Sequence, residues 1–256
     1  MQHIKFIGII PARYASTRFP GKPLAMLGGE PVIQRVYNQV HSVIENVIVA
    51  TDDNRIASAV RQFGGRCVMT NPNHKSGTDR CMEAYMRNGG NEDVVINIQG
   101  DEPFVQPSQL EAIMRCFDDE DTDIATLVKP FDPRRTYAEL ANPNTPKVVV
   151  DKNWNALYFS RSVIPYLRNI EPAEWPLHHQ YYTHLGMYAY RARVLQAITA
   201  LPQSSLELAE SLEQLRWIEN GYRIKVGVSN IETIGIDTPQ DLAKAEELLH
   251  KARSQK

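Results

Sequence analysis

The chain has 256 residues, 43% of them hydrophobic and 23% charged, with a formal net charge of -2. This is globular composition with length for one to two domains, and it excludes the global basic field by which a protein binds nucleic acid or a membrane surface. Cys67, Cys81 and Cys116 are odd in number and show no CxxC or Cys/His spacing, so neither a zinc site nor a disulfide framework is indicated.

In the first half, apolar runs alternate with amphipathic stretches. Residues 4–10 read as a buried strand whose apolar run, 6–10, is too short for a signal segment, and a loop separates it from a helix over 32–43. Residues 46–51 (NVIVAT) form a second strand, closed by Asp52 and Asp53, which are good N-caps for a helix over 55–63 that Gly64-Gly65 ends. A third strand over 66–69, a helix over 79–87 stopped by Gly89-Gly90, a fourth strand over 94–98 and a helix over 107–117 follow. This spacing predicts an α/β fold with a doubly wound, mostly parallel sheet.

The pattern then changes. Residues 147–150 and 156–160 flank a polar DKNWN turn and read as an antiparallel hairpin, followed by a strand over 184–190 and one long helix over 206–220. Residues 223–228 alternate with period two. Gly235-Ile236-Asp237-Thr238-Pro239 opens the last helix, with Asp237 or Thr238 as N-cap. The expected organisation is a single domain over 1–256 with an inserted mixed α/β lobe at about 130–200. No stretch approaches the roughly 18 apolar residues of a membrane span, and a cytoplasmic protein is expected.

The first strand runs into PARYASTRFPGKPL, residues 11–24. Between residues 6 and 29 there is no acid, yet Arg13, Arg18 and Lys22 fall inside that window. In an open parallel sheet, ligands bind beyond the carboxyl ends of the strands. A loop there with three cations and Gly21 can wrap a triphosphate, or can simply be a solvated basic loop. Asp101 follows the fourth strand in a Gly-Asp-Glu-Pro context, where it can hold Mg²⁺ against phosphates or serve a turn; Asp237 has the same two readings. Ser76-Gly77-Thr78 can accept a base or ribose edge at a helix start, or be a plain cap. Glu207, Glu210, Glu213 and Gln214 recur at helical spacing and alone would be a solvated face.

Taken together, these segments resemble the 3-deoxy-D-manno-octulosonate (KDO) cytidylyltransferase family. The resemblance is carried by residues 9–24, by His74-Lys75-Ser76-Gly77-Thr78-Asp79-Arg80 and by Gln99-Gly100-Asp101-Glu102-Pro103. It continues through residues 156–161, His184-Leu185-Gly186-Met187-Tyr188, Leu212-Glu213-Gln214-Leu215-Arg216 and residues 235–239. It implies the doubly wound fold of nucleotide-diphospho-sugar transferases, and a homodimer built through the inserted lobe. It also implies an enzyme that, with Mg²⁺, converts CTP and KDO into CMP-KDO and pyrophosphate for lipopolysaccharide biosynthesis. By motif, Pro11, Ala12 and Arg13 would meet cytosine and ribose, and Arg18 and Lys22 the triphosphate. Ser76, Gly77, Gln99 and Gly100 would line the nucleotide or sugar side, and Asp101 and Asp237 would bind metal. Arg161, His184, Tyr188, Glu213 and Gln214 would grip the sugar acid. Rival readings are CMP transfer to an amino analogue of KDO or to a sialic-type acid, and a non-catalytic sugar-nucleotide binding module. Loss of Arg18, Lys22, Asp101 or Asp237 would favour the last, and all four are present.

Overall fold

The computed structural model describes residues 4–15, 17–231 and 235–254. Contacts divide the chain into two units, residues 1–110 with 233–256, and residues 111–232. The whole of the expected 130–200 insertion falls in the second.

The first unit begins with β1 (Phe6–Ala12), in which Ile7, Ile9 and Ile10 are fully buried. A strand covered on both faces needs such a near-continuous apolar run. A short antiparallel ribbon, β2 (Met26–Leu27) and β3 (Glu30–Pro31), leads into α1 (Val32–His41). Then come β4 (Asn46–Thr51), α2 (Asn54–Gln62), β5 (Cys67–Met69), α3 (Gly77–Arg87) and β6 (Val94–Asn97), and the unit boundary after Leu110 falls within α4 (Pro107–Arg115).

The strands lie in the order β6-β1-β4-β5, and every pair among them is parallel. The chain steps outward from β1 to β4 to β5, then returns past β1 to β6. The winding direction thus reverses at β1, as the doubly wound reading requires. Such a reversal opens a crevice at the carboxyl ends of the two strands that flank it, here β1 and β6. The segments that leave those ends are residues 13–25 and 98–106, which carry Arg13, Arg18 and Lys22, and Asp101.

The second unit holds β7 (Ile124–Pro130), α5 (Tyr137–Leu140), β8 (Lys147–Val150), β9 (Ala156–Ser160), α6 (Trp175–His178) and β10 (Tyr182–Arg191). These are followed by α7 (Ala192–Thr199), α8 (Ser205–Glu210), α9 (Gln214–Glu219) and β11 (Ile224–Val228). β7 pairs with β11 in parallel and with β10 antiparallel, and β8 joins β10 to β9 in the expected hairpin. The chain then returns to the first unit as α10 (Pro239–Ser254).

Four local differences from expectation follow. The helix over 107–117 ends at Arg115 and tightens into a 3-10 turn at Cys116–Asp118. The strand Ile124–Pro130 and the helix Ala192–Thr199 stand where no element was expected. The single helix over 206–220 is two helices, broken at Ser211, whose φ of 52° puts it in the left-handed region. That conformation costs a non-glycine residue free energy and requires compensation nearby.

Candidate active site

Beyond β1, just before Lys22, Gly21 takes φ 73° and donates its N–H to Tyr14 O at 2.9 Å, so the basic loop folds back on itself. A side chain at that φ would be strained, and its Cβ would press on the Tyr14 ring. The turn delivers Lys22, whose Nζ lies 2.5 Å from Asp101 Oδ2 and 3.2 Å from Asp237 Oδ1. Arg18 Nη2 lies 3.1 Å from Asp237 Oδ2. Two acids far apart in sequence are therefore brought onto one ammonium. The backbone enforces this, because Ile236 N–H donates to Asp101 O at 2.9 Å.

The capping ambiguity at 237–238 is resolved by a neighbour. Thr238 Oγ1 accepts from Asp241 N–H at 3.2 Å, while Asp241 Oδ2 accepts from Thr238 N–H at 2.9 Å. Thr238 and Asp241 form a capping box for α10, which leaves the Asp237 carboxylate turned to Lys22 and Arg18.

The nucleotide candidates Pro11, Gly77 and Gly100 converge at the same edge. A Cβ on Gly100 would sit 2.8 Å from Pro11 O, so only glycine allows this approach. A Cβ on Gly77 would lie 3.6 Å from Pro11 Cγ and 3.7 Å from Asn97 Nδ2. Ser76 caps α3 in a reciprocal box with Asp79, its Oγ accepting from Asp79 N–H at 3.1 Å. Cap and ligand readings of Ser76 are compatible, since the hydroxyl keeps its own proton to donate. Arg13 donates to Pro72 O at 3.1 Å and approaches Asp52 at 3.9 Å. Ala12 is buried at the strand end and Gln99 is half-buried after β6. Ser16, inside the opening motif, lies outside the described residues.

The sugar candidates all fall in the second unit. On β10, His184 and Tyr188 have ring centroids 5.2 Å apart, and His184 also meets Phe159 edge-on. The pairing of β10 with β7 shifts between Leu185 and Tyr188, and bulges of this kind re-aim side chains. Thr126 fixes the result. Its hydroxyl donates to Met187 O at 2.8 Å, so it must accept from His184 Nε2–H at 2.9 Å, which leaves Nδ1 as the acceptor. Burial pushes the His184 pKa down to about 4, so the ring is neutral near pH 7. Burial, then Tyr190 and the Glu213 carboxylate, hold Tyr188 protonated well above its ordinary value.

Glu213 stands at the head of α9 and accepts from Arg216 Nη2 at 2.7 Å. Gln214 is buried, and its Nε2 has no hydrogen-bond partner among the described residues. A buried amide donor without a partner is costly unless a ligand supplies one.

Arg161 departs from expectation. Its guanidinium is engaged by three main-chain carbonyls: Nε donates to Glu210 O at 2.6 Å, Nη1 to Pro143 O at 2.8 Å and Nη2 to Ser211 O at 3.1 Å. Instead of offering a free fork to a carboxylate, it clamps the left-handed turn at Ser211 that precedes Glu213 and Gln214. This also supplies the compensation that Ser211 requires.

Sequence reasoning missed Thr126, Asp52 and Arg80 as participants. Thr126 carries no motif signal. Asp52 had one, since it stands beside Asp53 where a helix needs a single cap.

The described residues include no group of three or more His, Cys, Asp or Glu that could hold a metal ion, and no helix long and apolar enough to cross a membrane. A family model for cytidylyltransferases matches residues 7–226. A 3-deoxy-manno-octulosonate cytidylyltransferase of Bacteroides thetaiotaomicron is 68% identical over 96% of this chain and 98% of its own length. An 8-amino-3,8-dideoxy-manno-octulosonate cytidylyltransferase of Shewanella sp. is 45% identical over 94% of this chain and 97% of its own length. The solved structure of a CMP:2-keto-3-deoxy-manno-octonic acid synthetase complexed with CTP superposes with a TM-score of 0.89 at 43% identity, covering 97% of this chain and 99% of that one. With the switch-point cations, the paired acids and these matches along nearly its whole length, the chain belongs to the cytidylyltransferase family, among the 3-deoxy-manno-octulosonate cytidylyltransferases.

Proposed function

We propose that this enzyme transfers CMP from CTP to KDO, giving CMP-KDO and pyrophosphate, and that its product serves lipopolysaccharide biosynthesis. The observation that carries the reading is Lys22 and Arg18 meeting Asp101 and Asp237 at the β1 and β6 ends. Higher identity to the KDO enzyme than to the amino-sugar enzyme favours KDO as acceptor.

In this reading the first unit takes the nucleotide. Pro11, Ala12, Arg13, Ser76, Gly77, Gln99 and Gly100 surround cytosine and ribose, and Arg18 and Lys22 face the triphosphate. The second unit takes the sugar acid through His184, Tyr188, Glu213 and Gln214, with Arg161 holding the turn that carries the last two. The anomeric hydroxyl attacks the α-phosphorus in line, its O–P bond forms, and the bond from that phosphorus to the β-phosphate oxygen breaks. Pyrophosphate leaves with the bonding pair, and the hydroxyl proton is lost to solvent. Arg18 and Lys22 neutralise the charge that grows on the leaving group. Neutral His184, through Nδ1, and Glu213 can accept from sugar hydroxyls, while the Gln214 amide can donate.

The donor set fits Mg²⁺, which takes oxygen ligands and commonly uses one or two carboxylates with substrate phosphates. Lys22 Nζ lies within 3.2 Å of both acids, so the two carboxylates face a common point, which supports this reading. Asp101 and Asp237 would hold the ion, which when bound polarises the α-phosphate.

Family resemblance supports a cytoplasmic homodimer. Pyrophosphate release that requires both CTP and KDO tests the reading, and release from CTP alone would overturn it.

A further inference from the structure

We infer that Asp52 and Arg80 are positioning residues for nucleotide recognition: Asp52, fixed in place by buried Arg80, aims Arg13 at the nucleotide. The inference rests on the reading that the first unit takes CTP.

The first observation is a charge where charges are rarely found. Arg80, in the first turns of α3, is 1% exposed. A guanidinium so buried must be paired and hydrogen-bonded. Its Nη2 donates to Asp52 Oδ2 at 2.9 Å and its Nη1 to Thr70 Oγ1 at 2.5 Å.

The second observation is what those partners are. Asp52 directly follows β4 and Thr70 directly follows β5, and Thr70 N–H donates to Thr51 O at 2.8 Å. Arg80 thereby ties the carboxyl ends of two strands to the helix that Ser76 and Gly77 begin. Asp53, not Asp52, caps α2, accepting from Arg55 N–H at 2.8 Å. Asp52 is therefore free of capping duty.

The third observation is the direction of its remaining reach. The same Oδ2 that Arg80 holds lies 3.9 Å from Arg13 Nε, and Arg13 Nη2 donates to Pro72 O at 3.1 Å. Arg13 leaves the end of β1 and is half exposed, so without these two anchors its long side chain would sample many rotamers. Pre-organising a recognition arginine lowers the ordering cost on binding. A rigid fork is worth the support because arginine recognises planar acceptors through geometry as well as charge.

A steady-state comparison of wild type, Asp52→Asn, Arg13→Ala and the double variant tests this. Asp52→Asn should raise KM for CTP by about tenfold, with KM for KDO within about twofold, and should add nothing further in the Arg13→Ala background. Because Asp52→Asn strands the Arg80 charge and can impair folding, the Asp52→Asn/Arg80→Gln double variant is run beside it. It removes both charges together, so that no buried charge is left unpaired, and should reproduce the rise in KM for CTP. Independent effects of Asp52→Asn and Arg13→Ala, or an unchanged KM for CTP in Asp52→Asn/Arg80→Gln, would overturn the inference while leaving the assigned reaction intact. A wild-type chain that cannot turn over CTP overturns the functional reading and the inference with it.

Discussion

Replacing Lys22 by methionine keeps an unbranched stem of four atoms and removes the ammonium at its end. That ammonium lies 2.5 and 3.2 Å from two carboxylate oxygens, and unit charges about 3 Å apart attract by about 5 kcal/mol at an effective dielectric of 20. Much of this is lost to solvent, because the Asp101 and Asp237 side chains are 29% and 46% exposed. The net ground-state contribution is then on the order of 1 kcal/mol. The transition state is different, since charge grows on pyrophosphate beside an ammonium already in place. Losing such a contact costs about 3–4 kcal/mol, or 10²–10³-fold in turnover. Lys22→Met should therefore lose turnover on that scale in a pyrophosphate-release assay, with stability to urea changed by no more than about 1 kcal/mol. With the ammonium gone, Mn²⁺ should also bind the nucleotide-free protein more tightly, read by loss of the free-ion EPR signal. Turnover within threefold of wild type, or lost stability at normal turnover, would refute the reasoning.

Asp237→Asn should raise the Mg²⁺ needed for half-maximal rate at nearly normal stability, whereas Thr238→Ala should cost about 1 kcal/mol of stability at nearly normal rate; equal metal titrations for Asp237→Asn and wild type would return Asp237 to a structural role. Arg161→Lys should behave like Arg161→Ala and raise KM for KDO, because an ammonium cannot span the carbonyls of Pro143, Glu210 and Ser211; full rescue by lysine would show that charge alone matters. Burial holds His184 near 4 against about 6.5 when unfolded, so between those values the unfolded chain binds a proton that the folded chain lacks. The stability this contributes is present above pH 6.5 and is lost as pH falls towards 4. Urea titrations from pH 7 to 4.5 should show a loss of about 1–3 kcal/mol that His184→Gln removes, and parallel pH curves for the two proteins would contradict it.

The parallel core was legible because its strands are buried on both faces, which requires near-continuous apolar runs such as VIVA and FIGII. The candidate residues were legible as motifs at strand ends, and the structure brings Arg18, Lys22, Asp101 and Asp237 together although 219 positions separate Arg18 from Asp237 in the chain numbering. What was hidden depended on partners distant in sequence. The break at Ser211 has no glycine or proline to announce it and exists because Arg161, fifty residues earlier, binds the carbonyl there. The β7 strand was masked by the acidic stretch before it, and its Thr126 acquires a role only once β10 lies alongside. The choice between Asp237 and Thr238 as cap was open to a closer reading, since Thr238 with Asp241 three residues on is the spacing of a capping box.

The central claim, that this chain joins CMP to KDO, is tested most directly by the acceptor it selects. With CTP and Mg²⁺ present, kcat/KM is measured by pyrophosphate release for KDO, for 8-amino-3,8-dideoxy-manno-octulosonate and for N-acetylneuraminate. KDO should lead the amino sugar by about tenfold or more, the range a single mismatched polar contact produces, and N-acetylneuraminate should be turned over barely if at all. Equal or higher kcat/KM for either rival acceptor would contradict the account.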